Sequence, residues 1–218
     1  MQNIAIIGAT GLVGSKLLEQ IVKHKSNSKV FVVSRNQPAN LPDNVEHIPL
    51  NQGDYSFPDE ISTAFCCLGT TMKKAGSKEA FRKVDFDMVT EFAQRAKDCG
   101  AKNFAVVSSI GANAKSRNFY LRTKGQVEDE LKKFGFERLI IARPSLLLGK
   151  RNEKRFGEDI GKVLYKVFSF VFIGPLKKYK GINAEDVAKA MLVLSKQGKG
   201  TVIAESNALQ LFSKKHLE

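Results

Sequence analysis

The sequence predicts an α/β protein: a parallel sheet covered by helices on both faces. Short runs that are apolar at every position recur along the chain, which is the pattern of strands buried on both sides. Between them lie segments with apolar residues at helical spacing, such as Leu17, Leu18, Ile21 and Val22, or Val89, Phe92, Ala93 and Ala96. A tight glycine turn, Gly8 to Gly14, joins the first strand to the first helix.

Taken in order, Asn3 to Ile7 is a β-branched strand stopped by Gly8, and Ser15 to Lys25 is the helix that follows. Val30 to Val33 is a second strand ending at Ser34 and Arg35. Thr63 to Leu68 is a third, closed by Gly69. Met88 to Cys99 reads as a helix, Phe104 to Val107 as a strand ending in Ser108 and Ser109, and Tyr120 to Lys133 as a helix. Arg138 to Ala142 is a strand halted by Pro144. Asn183 is placed to cap a helix running through Val187 to Leu194, with Glu185 and Asp186 in its first turn. Asp85 and Asp87 are read in the same way, as first-turn charges of the helix at Met88. No repeat or linker divides the chain, so residues 1–218 are expected to form a single domain. Residues 150–180 break the rhythm as a basic, Phe-rich segment, expected to form a small C-terminal cap on the substrate side.

Composition is that of a globular protein, 43% hydrophobic and 26% charged. Lys and Arg total 35 against 22 acidic residues, a net charge of +13 that attracts anions. Basic clusters at Lys150 to Arg155 and Lys177 to Lys180 come with no nucleic-acid motif, so no specific nucleic-acid partner is expected. Cys66, Cys67 and Cys99 are an odd set whose adjacent pair could bridge only under strain, which points to a reducing compartment. Cys66 and Cys67 are expected to pack in a strand. No basic leader precedes a long apolar stretch at the N-terminus. The longest apolar run, Val163 to Pro175, contains Lys166 and falls short of the roughly 20 residues of a membrane span. A cytoplasmic protein is expected. His24, His47 and His216 share no ligand spacing with a cysteine, so no metal is expected. G-x-S-x-G and G-x-x-x-x-G-K-[ST] are both missing from the sequence.

Three constellations carry chemistry. In Gly8-Ala-Thr-Gly11-Leu-Val-Gly14, Gly8 permits the turn, Gly11 lets backbone approach a pyrophosphate, and Gly14 lets the helix press on the strand. No acid follows the second strand to accept from a ribose 2′-hydroxyl. Arg35 stands there instead, suited to the 2′-phosphate of NADP. Tyr120 and Lys124 lie four apart on one helix face, where an ammonium favours the phenolate and makes the phenol a usable acid or base. Of the two serines ending the strand before them, alternation lets one face the cleft. Ser109 is chosen to hold a substrate carbonyl, and Ser108 is its competitor.

GATGLVG, the FCCLGTT run from Phe65 to Thr71, VVSSIGA from Val106 to Ala112, YLRTK and the ARPSLLLGKR run from Ala142 to Arg151 together resemble the atypical short-chain dehydrogenase/reductase superfamily. Within it, the chain is similar to the Tat-interactive, tumour-suppressor-type oxidoreductase family and its bacterial homologues. The resemblance implies a Rossmann-like doubly wound sheet and NADPH as cofactor. It implies contacts from Thr10, Gly11, Leu12 and Val13, from Arg35 with Asn36, from Leu68 with Gly69, from Tyr120 with Lys124, and from Leu147 and Arg155. Asn36 departs from the pattern, standing where a second Arg is typical. Two function classes follow: an NADPH-dependent oxidoreductase of a small carbonyl-bearing or apolar substrate, or an NADP(H)-binding regulatory or interaction protein with little turnover. A protein partner is compatible with either, and the sequence sets no oligomeric state.

Overall fold

In a computed structural model, residues 2–24, 28–50, 55–58, 60–149 and 180–215 are described. The order of elements is β1 (Ile4–Ile7), α1 (Leu12–His24), β2 (Val30–Ser34), β3 (Val45–Pro49), β4 (Thr63–Cys66), α2 (Met72–Ala75) and α3 (Lys78–Arg82). A π-helical turn, Lys83–Asp87, leads into α4 (Met88–Asp98). Then come β5 (Asn103–Val107), α5 (Phe119–Lys133), β6 (Arg138–Arg143), β7 (Leu147–Leu148), β8 (Ile182–Asn183), α6 (Ala184–Ser195), β9 (Gly200–Glu205) and α7 (Ser206–Ser213).

Seven strands form one parallel sheet in the order β3-β2-β1-β4-β5-β6-β9, and β7 and β8 form a small parallel pair beside it. This is the Rossmann-like α/β fold that the sequence predicts. Strand order reverses between β1 and β4, so the crevice above their carboxyl ends is the place where such sheets take ligands.

Strand alternation divides the core between the two faces. Ile4 and Ile6 of β1, with Val30, Val32, Phe65, Ala105 and Ile140, pack against Leu17 and Ile21 of α1 and Val187 and Met191 of α6. Ala5 and Ile7 face the other way, with Phe31, Val33, Phe104 and Ile141, and pack against Phe92 and Ala96 of α4 and Val127 and Leu131 of α5. The middles of the central strands are therefore apolar on both faces, which is why they are legible in the sequence.

The edges are not. β3 mixes buried Val45 and Ile48, one on each face, with exposed Glu46 and Pro49, and β9 opens on the exposed Gly200 and Thr201. The sequence reading omits both strands and α7, and it counts β4 as the third strand. Asn183 does stand before α6, paired in β8 opposite Leu148, but its side chain makes no capping bond. The expected cap at 150–180 and the apolar run from Val163 lie outside the described residues, Lys180 excepted. Among the described residues, no helix is long and apolar enough to cross a membrane.

Candidate dinucleotide and catalytic site

The turn after β1 is built by close approach of backbone to backbone. Gly8 has φ +81°, and a Cβ there would stand 2.7 Å from the Cys67 carbonyl. A Cβ on Gly14 would lie 2.1 Å from the Gly8 oxygen, so α1 presses directly on the turn. Gly11 is different: a Cβ would reach 3.2 Å from the Gly8 oxygen, a tight but open position. The Gly11 amide donates to the Gly8 carbonyl at 3.0 Å, and the Ser15 amide donates to the Gly11 carbonyl at 2.9 Å. The first amides of α1, from Leu12 on, have no intrahelical acceptor, and no acidic side chain occupies the first turn. Backbone donors and the positive end of the helix therefore meet at the switch point.

The remaining cofactor candidates fall at the same sheet edge. Arg35 and Asn36 follow β2 and are exposed, with the Ser34 hydroxyl donating to the Asn36 carbonyl at 2.8 Å. Leu68 and Gly69 follow β4, next to β1. Leu147 in β7 packs on the α1 side of the core, and a Cβ on Gly149 would lie 3.0 Å from Leu12 Cδ1. The LLLG run therefore closes over the start of α1. Arg155 lies outside the described residues.

Helix α5 starts at Phe119, where Asn118 Oδ1 accepts from the Leu121 amide at 3.1 Å. The half-buried Tyr120 packs its ring on Phe81, 5.6 Å between centroids, and Phe81 also meets Phe119 at 5.7 Å. One turn on, Lys124 is only 5% exposed. Its ammonium pairs with Asp85 Oδ1 at 2.8 Å, and Asp85 is itself fully buried. The other carboxylate oxygen of Asp85 accepts from the Thr70 amide at 2.8 Å, in the loop that holds Leu68 and Gly69. Burial opposes the Lys124 charge most strongly. The attraction of Asp85, then of Tyr120, outweighs it, so Lys124 is held above the ordinary lysine range.

Asp85 corrects the sequence reading. It is not a first-turn charge of the helix at Met88 but a buried residue of the helical run before it, on one face with Phe81, Val89 and Phe92. Two further residues were missed. Gly125 lets α5 meet the loop before it, since a Cβ there would fall 2.1 Å from the Ala114 nitrogen. A glycine directly after the Tyr-Lys pair, inside a helix that it weakens, was the available signal. Glu128, at the next i+4 position after Lys124, is buried and receives the Arg143 guanidinium, whose Nε donates at 2.9 Å. It also accepts from the Ser108 hydroxyl. Ser108 is thereby committed to a buried network, whereas the Ser109 hydroxyl makes only a 3.3 Å contact to the neighbouring Ile110 carbonyl.

Cys66 is fully buried and Cys67 lies just past the strand end. Burial pushes the Cys66 thiol up to about 12, which removes the thiolate needed for reactivity. Iodoacetamide at pH 8 is expected to label Cys66 only after unfolding. Labelling of native and denatured protein at similar rates, read by mass spectrometry of the peptide, would contradict that burial.

The HIM1 family profile matches residues 16–171. The chain belongs to the HIM1 family. Among its relatives, "Protein FMP52, mitochondrial" of Lodderomyces elongisporus is 35% identical over 210 residues, covering 90% of this chain and 87% of the relative. "Protein HTATIP2" of Rattus norvegicus is 36% identical over 174 residues, covering 76% of this chain and 72% of the relative. The second likeness supports the Tat-interactive-type resemblance. The bacterial type named with it has no support, these relatives being fungal and mammalian. The mitochondrial name, shared by relatives from Debaryomyces hansenii and Candida albicans, overturns the cytoplasmic expectation. Free thiols argue for a reducing environment, and that does not single out the cytosol.

Solved structures share the fold of this family member at low identity. ADP-L-glycero-D-manno-heptose-6-epimerase of Helicobacter pylori has a TM-score of 0.67 at 17% identity, covering 99% of this chain and 82% of the other. The human epimerase family protein SDR39U1, in complex with NADPH, has a TM-score of 0.64 at 12% identity, covering 95% and 77%.

Proposed function

We propose that this protein is an NADP(H)-dependent oxidoreductase acting on a small carbonyl-bearing or apolar substrate. One observation carries the reading: the glycine turn at the switch point and the buried Lys124 are brought to the same sheet edge, with the Leu68–Thr70 loop between them. The turn fits a pyrophosphate, because Gly8 and Gly14 close it tightly and Gly11 leaves the helix start open. The NADPH bound to the human neighbour, on the same fold, supports the choice of cofactor class.

In this reading Thr10 to Val13 hold the pyrophosphate, and Arg35, with no acid beside it on β2, takes the 2′-phosphate. Leu68, Gly69, Leu147 and Arg155 complete the cofactor contacts. Bound there, NADPH supplies the hydride. Tyr120 delivers a proton to the substrate oxygen, Ser109 donates to the same oxygen, and Lys124 places positive charge beside the phenol. Residues 1–218 act as one domain, with 150–180 as its substrate-side cap.

A second reading, an NADP(H)-binding regulatory protein with little turnover, is favoured by one feature. The Lys124 ammonium is committed to Asp85.

The cofactor assignment is tested by thermal shift. NADPH is expected to raise the melting temperature clearly more than NADH at equal concentration, because a ligand of the native state stabilises by mass action. Arg35→Asp replaces an attraction by a repulsion and is expected to narrow or reverse the difference. Equal shifts in the wild type would sink the role of Arg35. A preference that survives the substitution would move it to another basic residue, Arg155 first.

A further inference from the structure

We propose that Asp85 is the positioning residue of the site: its carboxylate holds the Lys124 ammonium on the Tyr120 face of α5 and ties it to the loop carrying Leu68 and Gly69. The proposal deepens the oxidoreductase reading and rests on Lys124 being part of that site. Its basis is geometric. One oxygen of a fully buried carboxylate lies 2.8 Å from Lys124 Nζ, and the other lies 2.8 Å from the Thr70 amide. The helix bearing the Tyr-Lys pair and the loop after β4 therefore share one anchor, placed at Asp85 by the π-helical turn.

The pair also explains how Lys124 can stay charged at 5% exposure. A buried ammonium without a counter-charge gives up its proton, and a paired one keeps it. Three groups from the packed elements act on Lys124: Asp85 from the turn, Tyr120 from its own helix and Cys66 from β4. Of these, Asp85 alone touches the ammonium with a full negative charge.

The sign of a pH dependence separates this role from simple packing. In the wild type Lys124 is held above its ordinary value of 10.5, so its contribution to stability is complete below that pH and is lost only above it. In Asp85→Asn, the amide oxygen can still accept from Thr70, but the counter-charge is gone. Lys124 then titrates below the unfolded lysine, and stability should rise as pH climbs from about 7 to 10.

The experiment is urea unfolding of the cofactor-free full chain from pH 7 to 10, for wild type, Asp85→Asn, Lys124→Met and the double variant. At pH 7, Asp85→Asn should lose about 10²–10³-fold in the folding equilibrium constant, and the double variant should regain most of that loss. The double variant retains Tyr120 and Cys66, so it subtracts their titration. It should also lose the rising slope. If Asp85→Asn does not fold at pH 7, folding at pH 10 or in the double variant supports the proposal, and failure in both overturns it. A slope in Asp85→Asn equal to that of the wild type, or additive losses in the double variant, would also overturn it.

A second arm measures NADPH dissociation constants. Asp85→Asn and Lys124→Met should weaken binding by similar factors of about ten or more, and the double variant by no more than either. Wild type that fails to bind NADPH would defeat the cofactor reading, and the stability slopes would still decide the role of Asp85.

Discussion

Tyr120→Phe is expected to lose about 10²–10⁴-fold in turnover on any accepted carbonyl substrate, the usual contribution of a positioned general acid. The substitution removes only the hydroxyl. The ring still packs on Phe81 at the start of α5, and the Lys124–Asp85 pair one turn away keeps its partners. Folding stability and NADPH affinity should therefore stay near wild type while the chemical step fails. Single-turnover NADPH oxidation across a panel of aldehydes, ketones and quinones measures this. Unchanged turnover in Tyr120→Phe would remove the phenol from the mechanism. A wild type inert on the whole panel would favour the regulatory reading, in which the substitution has no turnover to remove.

Two glycines of the first turn should fail in different ways. Gly14→Ala places a methyl 2.1 Å from the Gly8 oxygen, a distance that backbone cannot accommodate without moving α1 off the turn. Overpacking of this kind costs about 1–3 kcal/mol and often more, and a displacement near 1 Å costs roughly 10²-fold in a positioned interaction. Stability and NADPH binding should therefore fall together. Gly11→Ala meets its nearest atom at 3.2 Å, so the fold should survive with a small loss. Its methyl would instead stand where a pyrophosphate must approach, and binding should fall while the denaturation midpoint barely moves. Loss of NADPH affinity in Gly14→Ala with none in Gly11→Ala would show the turn to be structural alone.

What the sequence revealed and what it hid follow from where each residue sits in the sheet. β1, β2, β4, β5 and β6 are flanked by strands and helices, so their middles are apolar on both faces, polar residues standing only at strand ends, and the pattern is plain. The edge strands β3 and β9 meet water along one side, and Glu46, Gly200 and Thr201 hide them among loops. Asp85 was misread because the helix was taken to begin at Met88, which left Asp85 ahead of it. The helical run begins earlier, and Phe81, Asp85, Val89 and Phe92 share one buried face at helical spacing. Alternation predicts that one of Ser108 and Ser109 turns from the cleft. The partner that ties down Ser108 is Glu128, twenty positions along the chain and beyond any local pattern. The acceptor helix itself was legible from Tyr120 and Lys124, and Glu128 continues their i, i+4 series.

Isothermal titration of NADPH into the wild-type full chain, with NADH titrated in parallel, tests the central claim most directly. Binding at a single site, tighter for NADPH than for NADH, is the result that the glycine turn and Arg35 predict. No saturable binding of either dinucleotide, by a chain that unfolds cooperatively and is therefore native, would contradict it.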